Sequence, residues 1–127
     1  MTQIATTIEQ SKYLLELGLS PKTADMVWVR YAAGGYRLEV LHRELFERIM
    51  ETDIAAWSFS ALLDVMPKKE TPYIQYLNEP PFDKEEYRWE CGLSDLIGSP
   101  GSSPIEAAFQ MVCWLLENGY IEKGGAS

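Results

Sequence analysis

SPIEAAFQMVCWLLENGYIE, residues 103–122, carries the start, body and stop of a single helix. Ser103 is placed to cap it, with Pro104 in the first helical position and Glu106 two positions on, where its carboxylate can reach back. Asn118-Gly119 supplies the left-handed residue that ends many helices. At about 100° per residue, Glu106, Gln110, Cys113 and Glu117 fall on one narrow stripe. Ala107, Phe109, Met111, Val112, Trp114, Leu115 and Leu116 cover the rest of the circumference. An apolar arc that broad predicts a helix enclosed on most sides. On this reading Trp114 belongs to the core, because aromatic rings dominate buried area. Cys113 faces the polar stripe. A thiol in mid-helix beside Gln110 and Glu117 has its pKa raised, which argues against a nucleophile or redox centre.

Working outward, AAWSFSALLDVMP at residues 55–67 predicts a second, shorter helix. Ser58 is its N-cap, Trp57 and Leu62 stand in staple positions, and Pro67 disfavours helical geometry at Met66. Near the start, Thr6 with Glu9 and Thr7 with Gln10 are overlapping capping boxes. Ile8, Leu14, Leu15 and Leu17 give the apolar stripe of a first helix, which Gly18 ends, letting Leu19 fold back on the last turn. Ser20-Pro21 then makes a short turn.

Two hairpins lie between the helices. Met26 to Tyr31 is β-branched and aromatic, Gly34-Gly35 supplies positive φ, and Tyr36, Leu38 and Val40 alternate with Arg37 and Glu39. The second hairpin runs from Tyr73 to Leu77 and back from Glu86 to Leu93, with Tyr87, Trp89 and Cys91 on one face. Leu41, Leu45, Phe46, Ile49 and Met50 fit a helix over 42–51, though extended chain fits them too. Gly98-Ser-Pro-Gly-Ser-Ser is expected to be a loop. The elements predict an α+β domain over residues 1–122, with a flexible tail at 123–127. Its sheet would have about four antiparallel strands, covered on one face by the N-terminal, central and C-terminal helices.

The chain has 127 residues, 46% hydrophobic and 24% charged, enough for one domain that buries roughly two-thirds of its unfolded surface. Nineteen acids against eleven bases leave a net charge of −8. Such a field repels phosphate backbones, so direct nucleic-acid binding is not expected. Charged clusters of this sign keep a protein soluble, and a DNA-mimicking inhibitor would need a regular row of acids that is not evident. MTQIATTIEQ lacks the basic and apolar regions of a signal peptide, and no apolar run approaches the roughly 18 residues of a membrane span. Cys91 and Cys113 stand outside metal or redox spacings. The expectation is a cytoplasmic protein with reduced thiols.

No catalytic constellation emerges. His42 is the single histidine, set among Arg43 and Glu44 on what reads as a charged surface. Glu39, Glu44, Glu47, Glu51 and Asp53 are interspersed with Arg37, Arg43 and Arg48, which points to charge pairing and not to a cation site. The serines of WSFSA lack the glycines of a nucleophile elbow, and GSPG at 98–101 lacks the Gly-Lys-Ser/Thr of a phosphate loop. No cofactor or metal is expected. If the chain is an enzyme or ligand binder assembled from distant residues, His42, Asp25 and Cys113 are its first candidates. A recognition surface would draw on Trp28, Tyr31, Tyr73, Tyr76, Tyr87 and Trp89, should the uncovered sheet face expose them.

LGLSPKTADM, AAWSFSALLDVMP and AAFQMVCWLLENGYI, in that order, resemble a family of small uncharacterised bacterial proteins associated with prophages and other mobile elements. W-S-x-S-A-L-L and M-V-C-W-L-L-E-N are the more specific parts, together under half the chain; residues 32–55 lie outside the likeness. The resemblance implies no activity and no site residues. The reading that follows is a non-enzymatic protein working through contact with a protein partner or a second copy of itself. A site built from distant residues and an acidic inhibitor of a nucleic-acid-binding protein are the alternatives.

Overall fold

Caps set the helices where the sequence puts them. In the computed structural model, which describes residues 3–30, 32–40, 53–67, 71–79, 86–93 and 97–121, three α-helices are present: α1 (Ile8–Glu16), α2 (Phe59–Asp64) and α3 (Pro104–Glu117). Of the two overlapping boxes, Thr7 with Gln10 caps α1: Thr7 Oγ1 accepts from the Gln10 N–H at 3.1 Å and Gln10 Oε1 from the Thr7 N–H at 3.0 Å. Thr6 is thereby left for the interior. Its Oγ1 lies 2.7 Å from Ser11 Oγ and accepts from the Trp57 N–H, so both buried hydroxyls are satisfied. Ser58 and Ser103 cap α2 and α3 by accepting from Ala61 and Glu106 N–H.

Six strands form two antiparallel sheets, where one sheet of about four was expected; the α+β class stands. In the first, β1 (Met26–Arg30) pairs with β2 (Tyr36–Val40) as the anticipated hairpin, and Gly34 and Gly35 turn it at φ 93° and 88°. On its other side β1 pairs with β3 (Ile54–Ala56). In the second sheet, β5 (Trp89–Leu93) lies between β4 (Pro72–Tyr76) and β6 (Ile97–Gly101). The strand β6 takes up residues 98–101 of the loop expected at 98–103. Glycine and proline weaken a strand, but Pro100 sits on an edge, where a missing donor is tolerated. Gly101 is required by contact: a Cβ there would lie 2.4 Å from the Ala107 nitrogen at the start of α3.

One hydrophobic cluster draws from both sheets and all three helices. Leu14, Trp57, Leu62, Cys91, Met111, Leu115 and Leu116 are all wholly buried within it. Each large side chain so buried contributes roughly 1.5–3 kcal/mol relative to exposure. The helix α3 is the centrepiece, packed on β5, β6 and α2, while α1 lies on β3. Trp57 and Leu62, the two residues of the expected staple, are both fully enclosed in the core. Among the described residues no helix is long and apolar enough to cross a membrane. The helix anticipated over 42–51, Tyr31, His42 and the tail at 123–127 lie outside the described residues.

Candidate functional site

On α3 the structure reverses the expected roles of two neighbours. Cys113 is 4% exposed and Trp114 is 37% exposed. Cys113 belongs to the hydrophobic core, and Tyr13 of α1 lies against the same side of α3. Its ring packs near Phe109, with centroids 6.4 Å apart, and its hydroxyl donates to Glu117 Oε1 at 3.2 Å. Phe109, Cys113 and Glu117 are successive i, i+4 positions, so Tyr13 meets the helix face that Cys113 shares. Burial pushes the Cys113 thiol up to about 12, with the Glu117 charge adding to it. The direction matches the sequence reading; the larger cause is enclosure. Cys91 is likewise raised to about 11 by burial, then by Glu90. Both thiols stay protonated near neutrality and are poor nucleophiles.

With Cys113 covered, the outward stripe of α3 runs through Gln110, Trp114, Glu117 and Asn118. The helix ends in a Schellman motif: Gly119, at φ 77°, donates to Leu116 O, and Tyr120 donates to Leu115 O at 2.8 Å. That fixes the Tyr120 backbone beneath Trp114. The two rings stack with centroids 5.4 Å apart and planes 16° from parallel. Tyr120 is 57% exposed and Tyr13 42% exposed. Near the end of α3 the surface thus carries the Trp114–Tyr120 stack and, bonded to Glu117, the Tyr13 ring. Hydrogen bonding to Glu117, then its charge, raises the Tyr13 phenol above its ordinary value.

The aromatic residues proposed from the sequence that lie in described strands are divided between the two sheets and both faces of the second. Trp28, on β1, is half-buried and donates its indole N–H to the Thr6 carbonyl at 3.0 Å, tying the N-terminal segment to the first sheet. Tyr76 and Trp89 come together edge to face, 5.3 Å apart, and Trp89 packs against the core. Tyr73 points to the opposite face of that sheet, where its hydroxyl donates to Glu90 Oε1 at 3.0 Å, as does the Gln75 amide at 2.8 Å. Tyr87 is half-buried. Tyr13 and Tyr120 were the residues missed. Their signal was present, since Tyr13 stands off the apolar stripe of α1 and Tyr120 follows a left-handed glycine.

Asp25 serves the fold. Its Oδ1 accepts from the Ser58 N–H at 2.9 Å and its Oδ2 from the Ser58 hydroxyl, locking the N-cap of α2 to the start of β1. Ser58 in turn caps Ala61, so the pair is a relay between strand and helix. Among the described residues no three His, Cys, Asp or Glu side chains group as a metal site would need. No family model matches the chain, and neither a curated protein nor a solved structure does.

Proposed function

We propose that this is a non-enzymatic cytoplasmic protein that acts by binding another protein, in phage or mobile-element biology, through the exposed aromatic end of α3. The observation that carries the reading is the Trp114–Tyr120 stack, two large exposed rings at the surface, Tyr120 placed there by the helix cap. Tryptophan and tyrosine dominate binding hot spots because they offer much contact area at little entropic cost. The prophage and mobile-element setting rests on the sequence resemblance alone. A net charge of −8 favours a protein partner over nucleic acid. Asp25 and Cys113, first candidates for chemistry, are committed to a helix cap and to the core.

The test is affinity capture from the native host, comparing the unmodified protein with the Trp114→Ala/Tyr120→Ala double variant. The unmodified protein retains a partner that the double variant, equally folded by circular dichroism, does not. Equal capture by both would overturn the assignment of this surface. A bound small molecule with no captured protein would overturn the function.

A further inference from the structure

The aromatic surface lies where two helices end, and both ends are charged the wrong way for a helix. Glu16 is the last residue of α1 and Glu117 the last of α3, and neither helix has a base in its last turn. A helix C-terminus already carries about half a negative charge, so a carboxylate there is unfavourable. Both carboxylates act on the Tyr13 hydroxyl, Glu117 by hydrogen bond and charge, Glu16 by charge. Both carboxylates are exposed and act on Tyr13, and Glu117 stands three positions after Trp114 on α3, so negative potential gathers beside exposed rings. Glu117 gives one oxygen to Tyr13 and retains capacity to accept more.

We infer that the face formed by Tyr13, Glu16, Glu117, Trp114 and Tyr120 seats an arginine-bearing segment of a basic partner protein. This rests on the contact reading above and specifies its chemistry. A guanidinium can lie flat on an exposed ring while its N–H groups reach a carboxylate, which a lysine ammonium does less well. A second copy of this chain is the wrong occupant. An isologous contact would bring the same carboxylates and helix ends face to face, within a protein that carries −8 overall. Five side chains make a hot spot within a larger contact, so an isolated peptide binds it weakly.

The test uses two capped peptides, one alternating arginine with glycine and one alternating lysine with glycine, titrated into the isotopically labelled full chain. Shifts are expected at Tyr13, Glu117, Tyr120 and the Trp114 indole, with the arginine peptide binding about threefold more tightly. Trp114→Ala removes that preference, and Glu117→Gln weakens both peptides about threefold. Equal affinity for the two peptides, or shifts spread over remote acids such as Glu39 and Glu79, overturns the inference. A photocrosslinking side chain, Gln110→p-benzoylphenylalanine, separates this claim from the one it rests on. Crosslinking to an arginine-containing peptide of a captured partner supports it. Crosslinking to an acidic or wholly apolar peptide overturns it and leaves the contact reading standing, and crosslinking between two copies overturns it in favour of self-association. Absence of any crosslink from Gln110, with a partner still captured, removes the surface itself.

Discussion

The ends of α1 and α3 are built from the same parts and do opposite things. In each, a glycine at positive φ (Gly18 at 101°, Gly119 at 77°) donates to one carbonyl and the next residue donates to another, five positions back. Leu19 then turns inward, 3% exposed, beside Leu14, whose carbonyl its N–H meets. Tyr120 stays outside at 57% and stacks on Trp114, six residues earlier in the last turn of α3. The backbone motif is local; the destination of its apolar residue is tertiary. After Leu19 the chain enters a turn at Pro21–Thr23 whose Ser20 cap is itself buried, which carries the leucine into the core. After Tyr120 it is the next residue, Ile121, that enters the core at 7% exposed, and the tyrosine is left outside.

The comparison is broken most sharply by truncating the two apolar residues. Leu19→Ala lowers stability by about 2–5 kcal/mol, the range for buried leucines, whereas Tyr120→Ala costs about 0.5–1.5 kcal/mol, the range for a single aromatic contact. Urea unfolding of both variants checks this; equal losses would mean that Tyr120 is core after all. Gly18→Ala and Gly119→Ala ask about the backbone alone. Each places a Cβ in the left-handed region, at a cost of about 1 kcal/mol, and the two costs match. A large difference between them would show that the two caps are not equivalent.

Both helix ends were legible because their signals sit within a few residues of one another. The hairpin of β1 and β2 was legible for the same reason, in Gly34-Gly35 and the alternation of Tyr36, Leu38 and Val40. The strands β3 and β6 were not, since Ile54-Ala-Ala and Gly98-Ser-Pro-Gly have little intrinsic preference for extended chain and pair only because a neighbour offers an edge. With them went the count of sheets. The wheel of α3 showed its wide apolar arc and could not show which margin of it faces water. Tertiary packing decides that, placing Cys113 in the core and Trp114 outside, with Tyr13, 104 residues from Glu117, bonded on the same side of the helix.

A smaller effect follows from the same burial. Cys91 and Cys113 titrate from 9.0 in the unfolded chain to about 11 and about 12 when folded. Above pH 9 the unfolded chain releases thiol protons that the folded chain retains, so stability is complete below pH 9 and falls as pH rises towards 12. Tyr13, also raised, contributes in the same direction. Other groups titrate in that window, so the measurement is a difference: the urea midpoint of Cys113→Ala declines less steeply between pH 8 and 11 than that of the unmodified protein. Parallel declines would place the thiol in water.

The most direct measurement compares the two neighbours in one molecule. Hydroxyl-radical footprinting read by mass spectrometry scores sulfur and aromatic side chains by the solvent that reaches them. Trp114 and Tyr120 should oxidise early, while Cys113 and Trp57 stay unmodified until the protein unfolds. Oxidation of folded Cys113 as fast as Trp114 would contradict the orientation of α3, and with it the surface on which the proposed contact depends.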